Sequence, residues 1–175
     1  MQLEIESKIL VGSLKEVEKA ILEEGAVFQG EYTQEDVYYN HPSRDFTETD
    51  EALRVRKQNG TTIVTYKGKR FDRVTKTRSE INLVVDGDAS GLFEVLGFRP
   101  AGRVKKRRKE YIIGEVKVCL DDVEGLGHYV ELEALGTDYK LGKAKIFEIM
   151  KKINFIDIER KSYLELLTDS SAYRR

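Results

Sequence analysis

The opening stretch Leu3-Glu4-Ile5-Glu6-Ser7-Lys8-Ile9 alternates without a break, apolar or small residues on one parity and Glu4, Glu6 and Lys8 on the other. In a strand, successive side chains point to opposite faces, so two carboxylates and an ammonium line one side. A single such face would simply be solvated. The pattern recurs, however: Arg54 and Arg56 between Leu53, Val55 and Lys57; Ile63, Thr65 and Lys67; Lys76, Arg78 and Glu80; Lys106 and Arg108; Glu131 and Glu133 around Leu132. Surface strands have no need of so consistent a code, and the chain must fold so as to give these faces a common purpose.

Between the charged strands the elements read plainly. Ser13-Leu14-Lys15-Glu16 is a capping box that opens a helix with Leu14, Val17, Ala20 and Ile21 as its stripe, and Gly25 ends it. Residues 26–40 form a long strand that breaks at Asn40-His41-Pro42-Ser43. His41 reads as a loop histidine, and the acidic run 45–51 as a flexible lid or connector. Asn59-Gly60 marks a hairpin between the strands carrying Arg54 and Lys67. Residues 76–84 form another strand. A short helix over 88–96 is expected to bury Leu92, Val95 and Leu96. Further strands follow at 115–122 and 128–135, then a long helix with Leu141, Ile146, Ile149, Met150 and Ile153 on its apolar face, and a last helix over 159–167. Residues 1–168 are expected to form one domain and 169–175 a frayed tail.

Composition narrows the function classes. The chain has 175 residues, 40% hydrophobic and 35% charged, with net charge −1, which excludes a disordered chain and a bulk polyanion binder. The lone Cys119 has no partner for a disulfide and there is no Cys/His cluster, so it reads as a small strand residue in a reducing compartment. With neither a membrane-length apolar run nor a signal-peptide core, a cytoplasmic protein without a membrane partner is expected. Residues 103–109 hold six Lys or Arg, a density that would suit nucleic acid. The run continues into Glu110-Tyr111-Ile112-Ile113, though, and splits as a strand into Lys106 and Arg108 on one face and Lys105, Arg107 and Lys109 on the other. Nucleic acid is therefore not the expected partner.

The tally is about eight strands, mostly joined by short hairpins. Bringing the like-patterned faces together gathers thirteen groups: the cations Lys8, Arg54, Arg56, Lys67, Arg78, Lys106 and Arg108, and the carboxylates Glu4, Glu6, Glu80, Asp121, Glu131 and Glu133. Asp121 is chosen over Asp122 because the two cannot face inward together. Seven cations against six carboxylates nearly balance, as buried charge must. An α+β fold follows: a closed eight-stranded antiparallel barrel with flanking helices, whose lumen holds one small, highly charged ligand. Arg and Lys complement phosphate oxygens, and clustered carboxylates suit Mg²⁺ or Mn²⁺, so a polyphosphate with a dication is the natural guest.

With these residues in place, the sequence resembles the CYTH superfamily, or triphosphate tunnel metalloenzymes, which includes class IV adenylate cyclases and thiamine triphosphatases. The ExExK signature stands as Glu4-Ile5-Glu6-Ser7-Lys8. Further matching elements are Asp36-Val37-Tyr38-Tyr39, Leu53-Arg54-Val55-Arg56, Thr65-Tyr66-Lys67-Gly68, Arg78-Ser79-Glu80, Lys106-Arg107-Arg108 and the segment from Leu120 to Glu133. The Asp122-Val123-Glu124-Gly125-Leu126-Gly127 stretch looks closest to the cyclase-like branch. The resemblance implies that Arg54, Arg56, Lys67, Arg78, Lys106 and Arg108 grip a triphosphate, with Lys161 closing the tunnel as a further phosphate ligand. Glu4, Glu6, Glu80, Asp121, Glu131 and Glu133 would place one or two Mg²⁺ or Mn²⁺ ions. Lys8 would bind phosphate or orient the nucleophile, and Lys8, Glu6 and Asp121 would form the catalytic set. The substrate would be a small-molecule triphosphate: ATP, cyclised to cyclic AMP and pyrophosphate, or alternatively tripolyphosphate, a nucleoside triphosphate or thiamine triphosphate, hydrolysed. A non-catalytic polyphosphate-binding module is the third reading.

Overall fold

The computed structural model describes residues 2–70, 78–134, 138–154 and 157–172, the side chains of 2–4 and 170–172 excepted. Among the described residues, nine strands and five helices follow one another: β1 (Gln2–Glu4), β2 (Glu6–Leu10), α1 (Leu14–Glu23), β3 (Val27–Asn40), α2 (Phe46–Thr49), β4 (Ala52–Gln58), β5 (Thr61–Lys67), β6 (Arg78–Val85), α3 (Ala89–Val95), β7 (Arg99–Ile113), β8 (Val116–Val123), β9 (Gly127–Ala134), α4 (Tyr139–Lys152) and α5 (Tyr163–Ala172). The strands form a single curled sheet in the order β1-β6-β5-β4-β3-β7-β8-β9-β2, with antiparallel pairing throughout. The fold is α+β. The expected first strand is the pair β1 and β2, interrupted only at Ile5. Its first half pairs with β6, Glu4 opposite Arg78, and its second with β9, Glu6 opposite Glu133 and Lys8 opposite Glu131. The two ends of the sheet order are thus joined by one residue of chain.

Turn chemistry fixes the registers. Asn59 (φ 49°) and Gly60 (φ 77°) occupy the left-handed pair of a type I′ turn, which sets Gln58 opposite Thr61 and hence Arg56 opposite Ile63. The long strand β3 is bulged between Phe28 and Gly30 and again between Tyr38 and Tyr39, which lets it serve both β4 and β7 over its length.

Helices cover the outer face. Under α1 and α4 lies the main core, in which Ile5, Ile9, Val118, Leu120, Val130 and Leu132 pack on Val17, Ile21, Ile146 and Met150. Gly142 lets α4 come close: a Cβ there would stand 2.9 Å from the Ala134 Cβ and 3.0 Å from Ile5 Cδ1. A second cluster packs Phe93 and Phe98 over Tyr39, Leu53, Val55 and Val64. The α5 helix instead packs on the inner face, its Tyr163 and Leu164 against Val104, Val123 and Tyr129, which share the parity of Lys106, Asp121 and Glu131.

Several expectations are corrected. Leu92, Val95 and Leu96 are exposed rather than buried, because the two-turn α3 docks through Ala89 and Phe93 instead. Leu141 is likewise exposed, its place taken by Gly142 and Ile146. The acidic run, expected as a lid or connector, holds a turn of helix, α2, capped by Asp45 and anchored by buried Phe46. The last helix begins at Tyr163, not 159. Ser162 and Glu165 form a reciprocal cap there: Ser162 Oγ accepts from the Glu165 N–H at 3.1 Å, and Glu165 Oε2 accepts from the Ser162 N–H at 2.5 Å. The stretch before it is extended, with Ile158 bridging Ile9 and the Glu159 N–H donating to the Lys8 carbonyl. Residues 169–172 of the expected tail continue α5, and 173–175 lie outside the described residues, as does Lys76.

Candidate active site

The inner face of the sheet bounds a cavity of about 560 Å³, within the size range of small-molecule sites. All seven expected cations line it: Lys8 from β2, Arg54 and Arg56 from β4, Lys67 from β5, Arg78 from β6, Lys106 and Arg108 from β7. Of the expected carboxylates, Glu6, Glu80, Glu131 and Glu133 line it too. The Glu4 side chain lies outside the described residues.

On the β7–β8–β9 wall, Asp121 is the hub. It is fully buried, and Arg108 donates to it through Nε at 2.7 Å and a terminal nitrogen at 2.6 Å, Lys106 Nζ at 2.9 Å and the Tyr163 hydroxyl at 2.8 Å. Arg108 also bonds Glu131, whose other oxygen is 3.8 Å from Lys8 Nζ. Lys8 donates to the Lys161 carbonyl at 2.9 Å, and its ammonium sits 3.8 Å from the Tyr163 ring centroid, with Lys106 Nζ at 4.7 Å. Burial opposes ionisation of Asp121, but Arg108 and Lys106 outweigh it and hold the carboxyl below its usual range. Burial, with repulsion from Arg108, brings Lys106 down to about 8 against the pull of Asp121 and Glu131. Burial beside Asp121 raises the Tyr163 phenol well above its ordinary value, so it remains a donor.

On the β3–β4–β5–β6 wall, register sets Asp36 opposite Arg56, and Arg56 grips it through two bonds of 2.7 Å. Burial would raise Asp36, but Arg54 and Arg56 hold it at about 2. From Arg54 a chain of bonds crosses the strands: to Thr65 Oγ1 at 3.0 Å, from Thr65 to Asn82 Oδ1 at 2.7 Å, and from Asn82 Nδ2 to Glu80, which also meets Lys67 Nζ at 3.0 Å.

Two expected site residues stand elsewhere. Lys161 turns away from the cavity and pairs with Asp169 at 2.6 Å; its backbone, not its ammonium, reaches Lys8. Asp121 is buried behind the cavity lining, its Oδ2 taking bonds from Lys106, Arg108 and Tyr163 and its Oδ1 one from Arg108. Among the described residues no three His, Cys, Asp or Glu groups come together to hold a cation. Glu6 and Glu133 do sit directly across from one another, and anionic oxygen is the right donor type for Mg²⁺ or Mn²⁺; Glu133 also meets Lys117 at 2.5 Å.

Sequence reasoning missed Asp36, Asn82 and Tyr163. Asp36 and Asn82 share the inward parity of Tyr38 and Glu80, so strand alternation alone could have found them. Nothing local marks Tyr163, which reaches the site only because α5 folds back inside. The outward half of the basic run is accounted for by surface pairs, Lys105 with Glu35, Arg107 with Glu31 and Lys109 with Glu18. His41 is structural, accepting from the Ser43 N–H and packed against Phe46 and Phe98. Among the described residues no helix is long and apolar enough to cross a membrane.

The inner face of this curled antiparallel sheet is thus a code of paired charges carried on strand side chains. The CYTH domain model matches residues 2–165, and the chain belongs to the CYTH family, whose members are generally enzymes, adenylate cyclase-like or triphosphatase. It is 38% identical over 172 residues to MJ0240 of Methanocaldococcus jannaschii, a protein whose name assigns it provisionally to the adenylate cyclases; the match covers 94% of this chain and 98% of that one. The structure of PH1819 from Pyrococcus horikoshii OT3 superposes with a TM-score of 0.84 at 36% identity, over 95% of this chain and 99% of that one. The same fold, at 17% identity and a TM-score of 0.71 over 97% and 96% of the two chains, occurs in HpAC1 of Hippeastrum, described as an adenylyl cyclase candidate with a dominant triphosphatase activity.

Proposed function

We propose that this chain is a divalent-metal-dependent enzyme acting on a triphosphate, with the class IV adenylate cyclase reaction as its chemistry, and that the curled sheet closes through Ile5 into a tunnel around the substrate. One observation carries the reading: seven cations from five strands line one cavity. Burying so many costs solvation, and an anion with oxygens on every side is the guest that offsets it.

Each wall has its task. Arg56, aimed by an ionised Asp36, and Arg54, steadied by Thr65, present forked donors to phosphate oxygens from one side. Lys106, Arg108 and Lys8 meet the phosphates from the other, fixed by Asp121, Glu131 and Tyr163. Glu6 and Glu133, with Glu4 two residues upstream, would hold a dication that neutralises charge building on the leaving phosphate oxygens. The cations align the α-phosphorus with the ribose 3′-hydroxyl; the new O–P bond forms as the bond to the β-phosphate oxygen breaks, pyrophosphate departs with the electron pair, and the hydroxyl proton is released to solvent. Most of the acceleration is positioning and charge neutralisation.

The same grip presents the terminal phosphorus to water, and the fold is shared with the Hippeastrum protein described by its triphosphatase activity, so hydrolysis is the second reading. Incubation with ATP, tripolyphosphate and thiamine triphosphate under Mg²⁺ and Mn²⁺ decides: cyclic AMP with pyrophosphate supports the cyclase, orthophosphate the hydrolase. Binding without any product would leave only a storage or sensing module.

A further inference from the structure

We infer that Thr65 and Asn82 are positioning residues: anchored on Glu80, they form a relay across three strands that fixes the guanidinium of Arg54 in the cavity, a role that rests on the reading of the cavity as a triphosphate site. Two neutral residues stand here in the middle of a charged face. Register sets Thr65 of β5 directly opposite Arg54 of β4, and Asn82 of β6 directly opposite Thr65, so the three side chains form one rung on the inner face. Glu80 follows two residues along β6 on the same face, directly opposite Lys67. All five residues line the cavity, and Thr65 is fully buried.

The bonds along this rung have only one workable direction. A guanidinium can only donate and a carboxylate can only accept, whereas a hydroxyl and an amide do both. Arg54 donates to Thr65 Oγ1 at 3.0 Å, Thr65 donates to Asn82 Oδ1 at 2.7 Å, and Asn82 Nδ2 donates to Glu80 Oε1. The second oxygen of Glu80 lies 3.0 Å from Lys67 Nζ. Reversing the Asn82 amide would set oxygen against oxygen at Glu80 and leave the Thr65 hydrogen without its acceptor. Glu80 thus orients the amide, the amide orients the hydroxyl, and the hydroxyl holds a lone pair toward Arg54. The nearest approach of Arg54 to Asp36, at 3.7 Å, is too long for a hydrogen bond. On the same strand Arg56 is aimed directly by a carboxylate. The relay directs Arg54 through a neutral hydroxyl instead, and so adds no negative charge beside the phosphates. Rotamer freedom that Arg54 would otherwise lose on binding is surrendered when the protein folds.

The test is isothermal titration of tripolyphosphate without metal, on Thr65→Val, Thr65→Ser, Asn82→Ala and the Thr65→Val/Asn82→Ala double variant. None of these changes a charge, and valine keeps the shape of threonine in a strand. Thr65→Val and Asn82→Ala should each weaken binding by about three- to tenfold, as for one hydrogen bond. The double variant should be no weaker than the worse single one within about twofold, because a relay already broken cannot break again. Thr65→Ser, which keeps the hydroxyl, should bind within about twofold of wild type and shows that the hydroxyl rather than the packing is at work. In an Arg54→Ala background neither Thr65→Val nor Asn82→Ala should weaken binding further. Weakening that persists there, or that multiplies in the double variant, means that each residue acts for itself and overturns the relay; so does unchanged affinity in both single variants, with the phosphate grip left intact. If wild type does not bind tripolyphosphate, the phosphate reading itself fails, and the relay falls with it.

Discussion

The two walls of the cavity carry similar charges in different ways. On the β7–β8–β9 wall, one fully buried carboxylate, Asp121, takes bonds from Arg108, Lys106 and Tyr163, and the cations are 8% exposed or less. On the β5–β6 wall, Lys67, Glu80 and Asn82 form a linear chain with no single hub, and the Lys67 and Glu80 side chains keep 13% and 15% of their exposure. Buried charge that loses a partner is stranded, whereas charge that keeps some exposure can turn to water. The closed wall therefore belongs as much to the fold as to the site, and the more exposed Lys67–Glu80 end of the other wall is expected to tolerate change better.

The sharpest way to break this contrast is Asp121→Ala. It strands two buried cations and a phenol at once, and a loss of about 3–5 kcal/mol in unfolding free energy is expected, as for other broken buried pairs. Urea denaturation measures it; a loss under about 1 kcal/mol, within the range of a surface pair, would mean that the wall is wetter than its geometry. Next in size, Glu6→Gln should reduce turnover at least about a hundredfold with little change in stability, since a neutral amide is a poorer ligand for a hard dication. The same variant should bind tripolyphosphate without metal as well as wild type or better. Full wild-type turnover in EDTA would contradict the role given to Glu6. On the more exposed wall, Lys67→Ala should weaken tripolyphosphate by about tenfold, as for loss of one charge-assisted bond, while leaving the urea midpoint in place. A shifted midpoint with unchanged affinity would reverse the assignment of the two walls.

How much of this was legible in the sequence follows the same division. Strand parity alone brought Lys8, Arg54, Arg56, Lys67, Arg78, Lys106 and Arg108 to one face, because alternation is local and the Asn59-Gly60 turn fixes its own register. Helix phase was harder. The apolar residues of 88–96 fit two stripes, and only the aromatic anchors Phe93 and Phe98 on a distant strand surface select the one through Ala89. The part of the site that depends on chain reversal was invisible: that Lys161 faces outward, that Asp121 is enclosed and that Tyr163 caps two ammonium groups all follow from α5 entering the inner face, which no local pattern encodes.

The smallest effect tests the seam between the walls. Asp36 sits on β3, gripped by Arg56 and drawn down also by Arg54 and by Lys106 from the closed wall. Its carboxyl lies at about 2 in the folded protein against an ordinary 3.8. A carboxylate with a depressed folded value contributes stability that is complete above its unfolded value and is lost as pH falls toward the folded one, because the unfolded chain then binds a proton that the native protein refuses. Between about pH 5 and about pH 3 this one group should account for about 1 kcal/mol of lost stability. Asp36→Asn will itself destabilise by leaving Arg56 half-satisfied, so the informative quantity is the slope: the fall in unfolding free energy over that interval should be shallower in the variant by about the same 1 kcal/mol. An unchanged slope would mean that Arg54 and Arg56 do not hold Asp36 ionised. The two arginines would then be positioned by their strands alone, and the more exposed wall would extend one strand further than its bonds imply.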